Sequence, residues 1–421
     1  VPQAHKAWHV KRRLSNPNPL SDGNPFVMNF ELDDDQLAYR EAARQFSRRE
    51  LAPNAAEWDA NSVFPVETLR RAGEMGFCGL YIPEAHGGLG LSRLDATLII
   101  EELAKGCTTT TAFLTIHNMV NGILSRYATD AVREAWLPAM ITGEKLGSYC
   151  LTEPGAGSDA AALRTRARRD GDGDSDQDGY VIDGSKMFIS GAGSTHLLVV
   201  MARTGEPDSG ADGISAFAVP ANTPGIEYGK HEEKMGWRSQ PTRAVSFDGV
   251  RVPADHRLGE EGEGFRIAMQ ALDGGRINIA TCSVGTAQAA LETAHRYLET
   301  REQFGKPLAS FQALQFKLAD MATQLVAARQ MVRLAASKLD RNDSDAALYC
   351  AMAKRFATDE GFTICNDALQ LHGGYGYLRD YPLERHVRDC RVHQILEGTN
   401  EIMRLVVARR LLAKDDLENL S

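Results

Sequence analysis

The spacing of apolar residues changes twice along this chain. From Asp33 to about Glu144 they recur at three- and four-residue steps, which predicts helices. Asp33, Asp34 and Asp35 offer capping carboxylates ahead of Ala38, Ala42 and Phe46, and Pro65-Val66 opens a second helix carrying Leu69 and Ala72. Tyr81 to Gly90 is too rich in glycine to be regular and reads as a surface loop; Leu94 to Leu103 and Ala112 to Ser125 resume the helical period. Near Leu146 the pattern becomes short β-type runs at 180–184, 197–202, 214–219 and 244–250, separated by Gly, Pro and Asp. These predict an antiparallel sheet or barrel, with Asp170 to Asp178 as an acidic hairpin tip. Past Gly264 the helical period returns, with Ala287, Leu291, Ala294 and Leu298 on one stripe and Leu318, Met321 and Leu325 on another. The expected organisation is an α+β multidomain chain: an extension (1–27), an N-terminal α-helical domain (28–145), a middle β domain (146–262) and a C-terminal α-helical domain (263–421).

Composition narrows the function classes. A net charge of −9 argues against nucleic acid as the main partner, and no apolar run reaches membrane-spanning length. The seven cysteines are scattered without a C-x-x-C pair, which fits reduced, buried thiols and neither a disulfide framework nor a metal site. Residues 1–27 are basic and then Asn/Pro-rich, without the apolar core of a secretory signal. They read as a disordered or non-native extension ahead of a start at Met28, with a transit peptide as the alternative.

Two stretches carry candidate chemistry. In Gln394–Arg404 a lone carboxylate, Glu397, leaves an apolar approach and meets a Gly-Thr-Asn turn, ahead of a helix with Ile402, Leu405 and Val406 on its stripe. Thr399 and Asn400 are good N-caps, which places Glu397 just outside a helix N-terminus. A glutamate held against apolar walls resists ionising and moves towards the range useful to a general base. Taken alone, such a residue is more often a solvated loop acid. The second stretch, Y-C-L-T-E-P-G-A-G-S-D at 149–159, joins the helical to the β region. Gly155 and Gly157 let the backbone approach a ligand, and Thr152 and Ser158 supply hydroxyls at either end. It is not the dinucleotide-binding pattern.

Together with R-E-Q-F-G at 301–305 and Q-L-H-G-G-Y-G at 370–376, these stretches resemble the acyl-CoA dehydrogenase family, in order and spacing, over about residues 30–412. The resemblance implies a helical, a β and a four-helix-bundle domain, with FAD between the last two and an acyl-CoA against the flavin. It implies that Tyr149, Leu151, Thr152, Gly157 and Ser158 line the flavin, with Phe188, Ile189 and Ser190. Phe188 stands where many members carry tryptophan, and Ser190 offers flavin N5 a hydroxyl where others have threonine. Arg301, Phe304, Phe311, Gln312 and the run Gln370, Leu371, His372, Gly373 and Gly374 are implied to reach the cofactor of a neighbouring subunit. A guanidinium suits a pyrophosphate there. Thr399, Asn400 and Glu401 are implied to contact the flavin near the base, and Ser158, Asp273, Gly274, Gly275, Arg276 and Arg409 to lie near the CoA moiety and thioester. Asp273 replaces an asparagine expected at that position.

In the family a base takes the α-proton while flavin N5 accepts the β-hydride, and the base's own N–H and a ribityl hydroxyl hold the thioester oxygen. Glu397 is the implied base; the earlier helical position used by some members is Gly275, which has no side chain to offer. Trp237–Val245, Gly274–Ala280, Leu318–Arg329, Ile364–Tyr381 and Arg391–Gly398 look most like members acting on isobutyryl-CoA in valine breakdown, forming methacrylyl-CoA. Short straight-chain and 2-methylbutyryl thioesters are the alternatives, because a methyl group discriminates by only about 1–3 kcal/mol. The resemblance further implies electron-transfer flavoprotein as acceptor, a homotetramer, and a bacterial cytoplasm or a mitochondrial matrix. An oxidase, or a non-enzymatic flavoprotein of the same fold, is the competing class.

Overall fold

The computed structural model describes residues 31–170, 179–413 and 420. Six helices come first: α1 (Asp34–Phe46), α2 (Ala55–Asn61), α3 (Val66–Glu74), α4 (Arg93–Gly106), α5 (Thr108–Tyr127) and α6 (Asp130–Ile141). Asp33 starts α1 with a capping box: its carboxylate accepts from Gln36 N at 2.8 Å, and its own N–H donates to the Gln36 side chain at 3.3 Å. The buried face of α1 is set by Ala43 and Phe46, and Ala38 is exposed, so the expected stripe is turned. Phe46 meets Phe77 edge-on at 5.5 Å, and that contact fixes the rotation.

The β region comprises β1 (Gly147–Cys150), β2 (Arg166–Asp170), β3 (Gly179–Ser190), β4 (Leu197–Arg203), β5 (Ile214–Pro220), β6 (Ile226–Tyr228), β7 (Thr242–Pro253) and β8 (Arg257–Leu258). The order is β6-β7-β3-β2-β4-β5-β8, with β1 also on β4. Most pairs are antiparallel as expected, but β1 and β2 each run parallel to β4, making the sheet mixed. β4 is buried along its whole length, which is why it reads as an unbroken apolar run. Asp170 pairs with Gly179. Residues 171–178, read as the hairpin tip, lie outside the described residues, as does the extension at 1–27.

The chain then returns to helix with α7 (Gly264–Thr300), a short hairpin of β9 (Glu302–Gln303) and β10 (Lys306–Pro307), α8 (Gln312–Asp340), α9 (Ala346–Leu371), α10 (Leu383–Arg391) and α11 (Asn400–Leu412). Ala287, Ala294, Leu298, Met321 and Leu325 are buried, as their spacing predicts, with Leu291 and Leu318 packed at the margin. α11 departs from expectation. Its buried residues are Asn400 and Met403, and Leu405 is 42% exposed. Asn400 and Lys354 hold its first turn to α9, and Met403, Val407 and Leu411 face the core, a stripe rotated from the expected Ile402, Leu405 and Val406.

α7 connects the regions. Ile267 and Ala268 pack with the β sheet and α5, Ile279 and Cys282 with the N-terminal helices, and Ala280, Val284 and Ala287 with α8 and α9. Among the described residues no helix is long and apolar enough to cross a membrane. Gly285 lets α7 lie against α4: a Cβ there would be 2.3 Å from Glu101 O and 2.8 Å from Ala104 Cβ. Gly285→Val is therefore expected to destabilise the fold by about 1–3 kcal/mol or more through overpacking. Urea unfolding checks this, and an unchanged midpoint would show that the helices separate at no cost.

Candidate active site

Glu397 is placed by a turn in which two successive residues are left-handed, Glu397 at φ +55° and Gly398 at φ +89°. Such a conformation is strained for a residue with a side chain, and here α11 and α9 over-determine it. Thr399 caps α11 by accepting from Ile402 N at 3.3 Å. Asn400 is 2% exposed, and its amide donates to Thr358 Oγ1 at 2.9 Å and Asp359 Oδ1 at 2.7 Å. Lys354 Nζ donates to Gly398 O at 2.7 Å and Asn400 Oδ1 at 2.8 Å. The Asn400 side chain is thus committed to α9, and Glu401 is exposed.

The carboxylate of Glu397 faces α7 at Gly275, where a Cβ would lie 2.4 Å from Oε2. Only glycine leaves room for it. Oε2 is buried and has no hydrogen-bond partner among the described residues. Burial pushes the Glu397 carboxyl up to about 7, against the opposing pull of Lys354 and Arg276. Arg276 donates to Glu397 O at 3.4 Å and pairs with Asp273 at 2.6 Å. Burial also raises Asp273, which feels the charges of Arg276 and of Arg410. Arg409, the arginine expected here, is exposed on α11.

The β-domain wall is built on a buried ion pair. Lys186 of β3 is fully buried, and its Nζ donates to Leu151 O at 3.1 Å and Glu153 Oε1 at 2.8 Å. Glu153 accepts in addition from Arg164 N at 2.7 Å and Thr165 N at 2.9 Å. Glu153 and Ala156 exchange two backbone hydrogen bonds, closing a turn that leaves Gly155, Gly157 and Ser158 exposed. A Cβ on either glycine would meet nothing within 4 Å. Thr152 O accepts from Met187 N at 2.8 Å, which ties this loop to a register shift in β3. At that shift Phe188 is left-handed (φ +59°) and 62% exposed, while Ile189 turns into the sheet core. Ser190 Oγ accepts from Gln240 Nε2 at 3.2 Å. Leu151 is buried, and the buried hydroxyl of Tyr149 has no partner among the described residues; burial first, then the charge of Glu397, holds its ionisation well above the usual range.

A third support went unread in the sequence. Trp237 N donates to Asp389 at 2.7 Å, and a Cβ at Gly236 would strike Arg388 O at 2.3 Å, so the segment leading to Gln240 is locked onto α10. Trp237 Nε1 donates to His393 Nε2 at 3.3 Å, which assigns the ring proton to Nδ1, 2.7 Å from Ser283 Oγ. Burial depresses His393 to about 3, so it is neutral and structural.

The remaining predicted residues gather elsewhere. Arg301 is exposed 5.6 Å over Tyr375, Phe304 is left-handed and 92% exposed, and Lys306 sits 4.4 Å over Phe311. Gln312, Gln370, Gly373 and Gly374 are exposed, whereas Leu371 and His372 are buried. His372 stacks on Tyr297 at 4.1 Å, and its Nε2 is buried without a hydrogen-bond partner among the described residues. α7 carries Gly275 and Arg276 near its first third and ends at Thr300, so at 1.5 Å per residue the two groups are about 36 Å apart along it. Among the described residues no hydrogen bond, ion pair or ring contact joins them.

Comparison with known proteins identifies this arrangement. Residues 33–144, 148–250 and 262–412 match the N-terminal, middle and C-terminal domain models of acyl-CoA dehydrogenases. The chain belongs to the acyl-CoA dehydrogenase family. As a member it is an FAD-dependent oxidoreductase acting on an acyl-CoA. The dehydrogenase is 53% identical to mitochondrial isobutyryl-CoA dehydrogenase of Bos taurus, over 90% of each chain. It is 51% identical to that of Dictyostelium discoideum, over 91% of each. Among solved structures, butyryl-CoA dehydrogenase from Megasphaera elsdenii superposes with a TM-score of 0.87 at 40% identity, covering 91% of this chain and 100% of that one.

The residues present in this dehydrogenase fit a flavin. The open glycines 155 and 157, the exposed Phe188 ring, and the unpartnered buried atoms Tyr149 OH, Gln240 Oε1 and Glu397 Oε2 supply backbone access, an aromatic face and polar groups in need of partners. Lys186→Met is expected to cost about 3–5 kcal/mol, because it leaves the buried Glu153 uncompensated. The double variant Lys186→Met/Glu153→Leu should recover much of that in denaturant titrations. A single-variant loss below about 1 kcal/mol would show that the pair does not hold the loop.

Proposed function

We propose that this dehydrogenase oxidises a short branched acyl-CoA across Cα–Cβ, isobutyryl-CoA to methacrylyl-CoA, with Glu397 as the α-proton base. The observation that carries the reading is the Glu397 carboxylate itself, pressed against Gly275 with a buried oxygen that no group among the described residues satisfies. A carboxyl raised to about 7 is a stronger base than a free one, yet is still ionised in a useful fraction at neutral pH. As the α-proton moves to Glu397, negative charge develops on the thioester oxygen. The Glu397 N–H, which finds no acceptor among the described residues, is available to it. Bound FAD supplies the two-electron acceptor for the β-hydride. Thr152, Gly157, Ser158, Phe188 and Ser190 would hold the flavin from the β side, and Asp273 with Arg276 would border the thioester.

The names of the two relatives above half identity support the branched substrate. The separation along α7 supports a cofactor shared between copies: Arg301, Phe304, Gln312 and the 370–374 segment would serve a neighbouring chain, in a homotetramer. A solved structure described as the electron transferring flavoprotein of Acidaminococcus fermentans, with a TM-score of 0.88 to this chain, accords with electron-transfer flavoprotein as the re-oxidant. In this reading the domains divide at 145/146 and 262/263, and the protein works in a bacterial cytoplasm or a mitochondrial matrix.

Glu397→Gln should retain FAD and acyl-CoA binding and slow anaerobic bleaching of the flavin by isobutyryl-CoA roughly 10²–10⁴-fold; reduction near the wild-type rate excludes Glu397 as the base. In the parent enzyme kcat/KM should decline as pH falls through about 7. The folded pKa lies above the ordinary value of 4.5, so ionising Glu397 weakens the fold as pH rises between the two. Glu397→Gln should accordingly melt above the parent at alkaline pH. Gly275→Ala displaces the carboxylate and should lower kcat at least about tenfold with flavin content kept. A panel of short thioesters compared by kcat/KM tests the substrate, and a preference for butyryl-CoA would replace isobutyryl-CoA as the assignment.

A further inference from the structure

Lys354 is a buried charge that the reaction described above leaves without a role. It rises from the first third of α9 with its side chain fully enclosed, and both acceptors of its Nζ, Gly398 O and Asn400 Oδ1, are neutral. Among the described residues no carboxylate forms an ion pair with it. A buried ammonium with no contact counter-ion is costly, and a chain that keeps one needs an answering negative charge close by. Glu397 answers it: Lys354 Nζ is bonded to the carbonyl of the residue next to Glu397, and burial, which pushes Lys354 down to about 8, is opposed first by the Glu397 charge.

Of the other groups facing Glu397, Arg276, from α7, adds a smaller pull of the same sign but is itself paired with a carboxylate, Asp273, at 2.6 Å. Tyr149, from β1, and Cys282, from α7, are buried and held in their protonated, neutral forms. On the far side of Lys354, Asp359 of α9 is engaged by Asn400, Gln394 and Arg404, and Glu401 of α11 is exposed. The hydrogen bond to Gly398 O also fixes the carbonyl of the residue joined to Glu397, within the turn where both backbones are left-handed.

We propose that Lys354 is the positioning residue of the base: its ammonium, anchored on Gly398 O and Asn400 Oδ1, fixes the left-handed turn and keeps Glu397 ionised in an apolar seat. This deepens the reading of Glu397 as base and rests on it. The burial that lifts the Glu397 carboxyl to about 7 would lift it further without the ammonium.

The test is the pH profile of kcat/KM for isobutyryl-CoA, alongside an isotope-edited infrared titration of the Glu397 carboxyl, which needs no turnover. Lys354→Gln keeps a hydrogen-bond donor and removes the charge. Its midpoint should rise by about one pH unit or more, with rate lost at neutral pH regained at alkaline pH. Lys354→Arg keeps the charge and should keep the parent's midpoint even where kcat falls. An unmoved midpoint in Lys354→Gln overturns the proposal, because the lysine then only props the turn. Should Lys354→Gln fail to fold, wild-type protein with ¹³Cε-labelled lysines decides. One buried lysine resonance should show an inflection at the Glu397 midpoint that vanishes in Glu397→Gln, and its absence also overturns the proposal. Lost rate in Glu397→Gln with an unmoved Lys354→Gln midpoint removes this inference alone; unchanged rate in Glu397→Gln removes the base reading beneath it.

Discussion

The structure depends on a carboxylate held against a helix backbone with no side chain between them. Glu397 reaches Gly275 because the turn behind it is left-handed at two consecutive residues, and that turn persists because α9 and α11 grip its far side through Lys354, Thr358 and Asn400. Each contact is modest alone, at about 1 kcal/mol net for a hydrogen bond. Their value is positional. They fix a group whose usefulness depends on where its oxygen sits and on what cannot reach it.

The opposite wall follows similar physics. The Lys186–Glu153 pair lies inside the β region and organises three stretches of chain at once, the 151–156 turn, the start of β2 and the register shift before Phe188. A pair buried this deeply is weak evidence of stability, since an apolar replacement of both partners can be as stable. It does explain how a loop with two open glycines keeps one shape. Strain is shared by the segments just described: Phe188, Trp237 and Glu397 all have positive φ.

Much of this was legible in the sequence. Helix and strand types followed from spacing, because the packed faces of α7, α8, β4 and β5 are apolar, and Glu397 stood out from its turn. The illegible parts share a physical origin. The inner face of α11 runs through Asn400, Met403, Val407 and Leu411, and it is rotated from the stripe of Ile402, Leu405 and Val406 because polar Asn400, satisfied by α9, sets the helix's rotation. Arg410 adds its charge to the surroundings of Asp273, which an apolar period does not register. Lys186 and Lys354 are charges in buried places, where composition predicts surface. The parallel pairing of β1 and β2 with β4 joins residues distant in sequence, which local periodicity does not encode.

The clearance at Gly275 constrains where this chain can carry an acid. A carboxylate grown from position 275 would enter the same volume that the Glu397 side chain fills, so the two locations are alternative tenancies of one space. A chain passing between them one substitution at a time must cross either an intermediate with two clashing acids or one with none. Moving the acid from one location to the other is therefore a paired exchange of residues 275 and 397, and neither substitution alone leaves a single acid in that space.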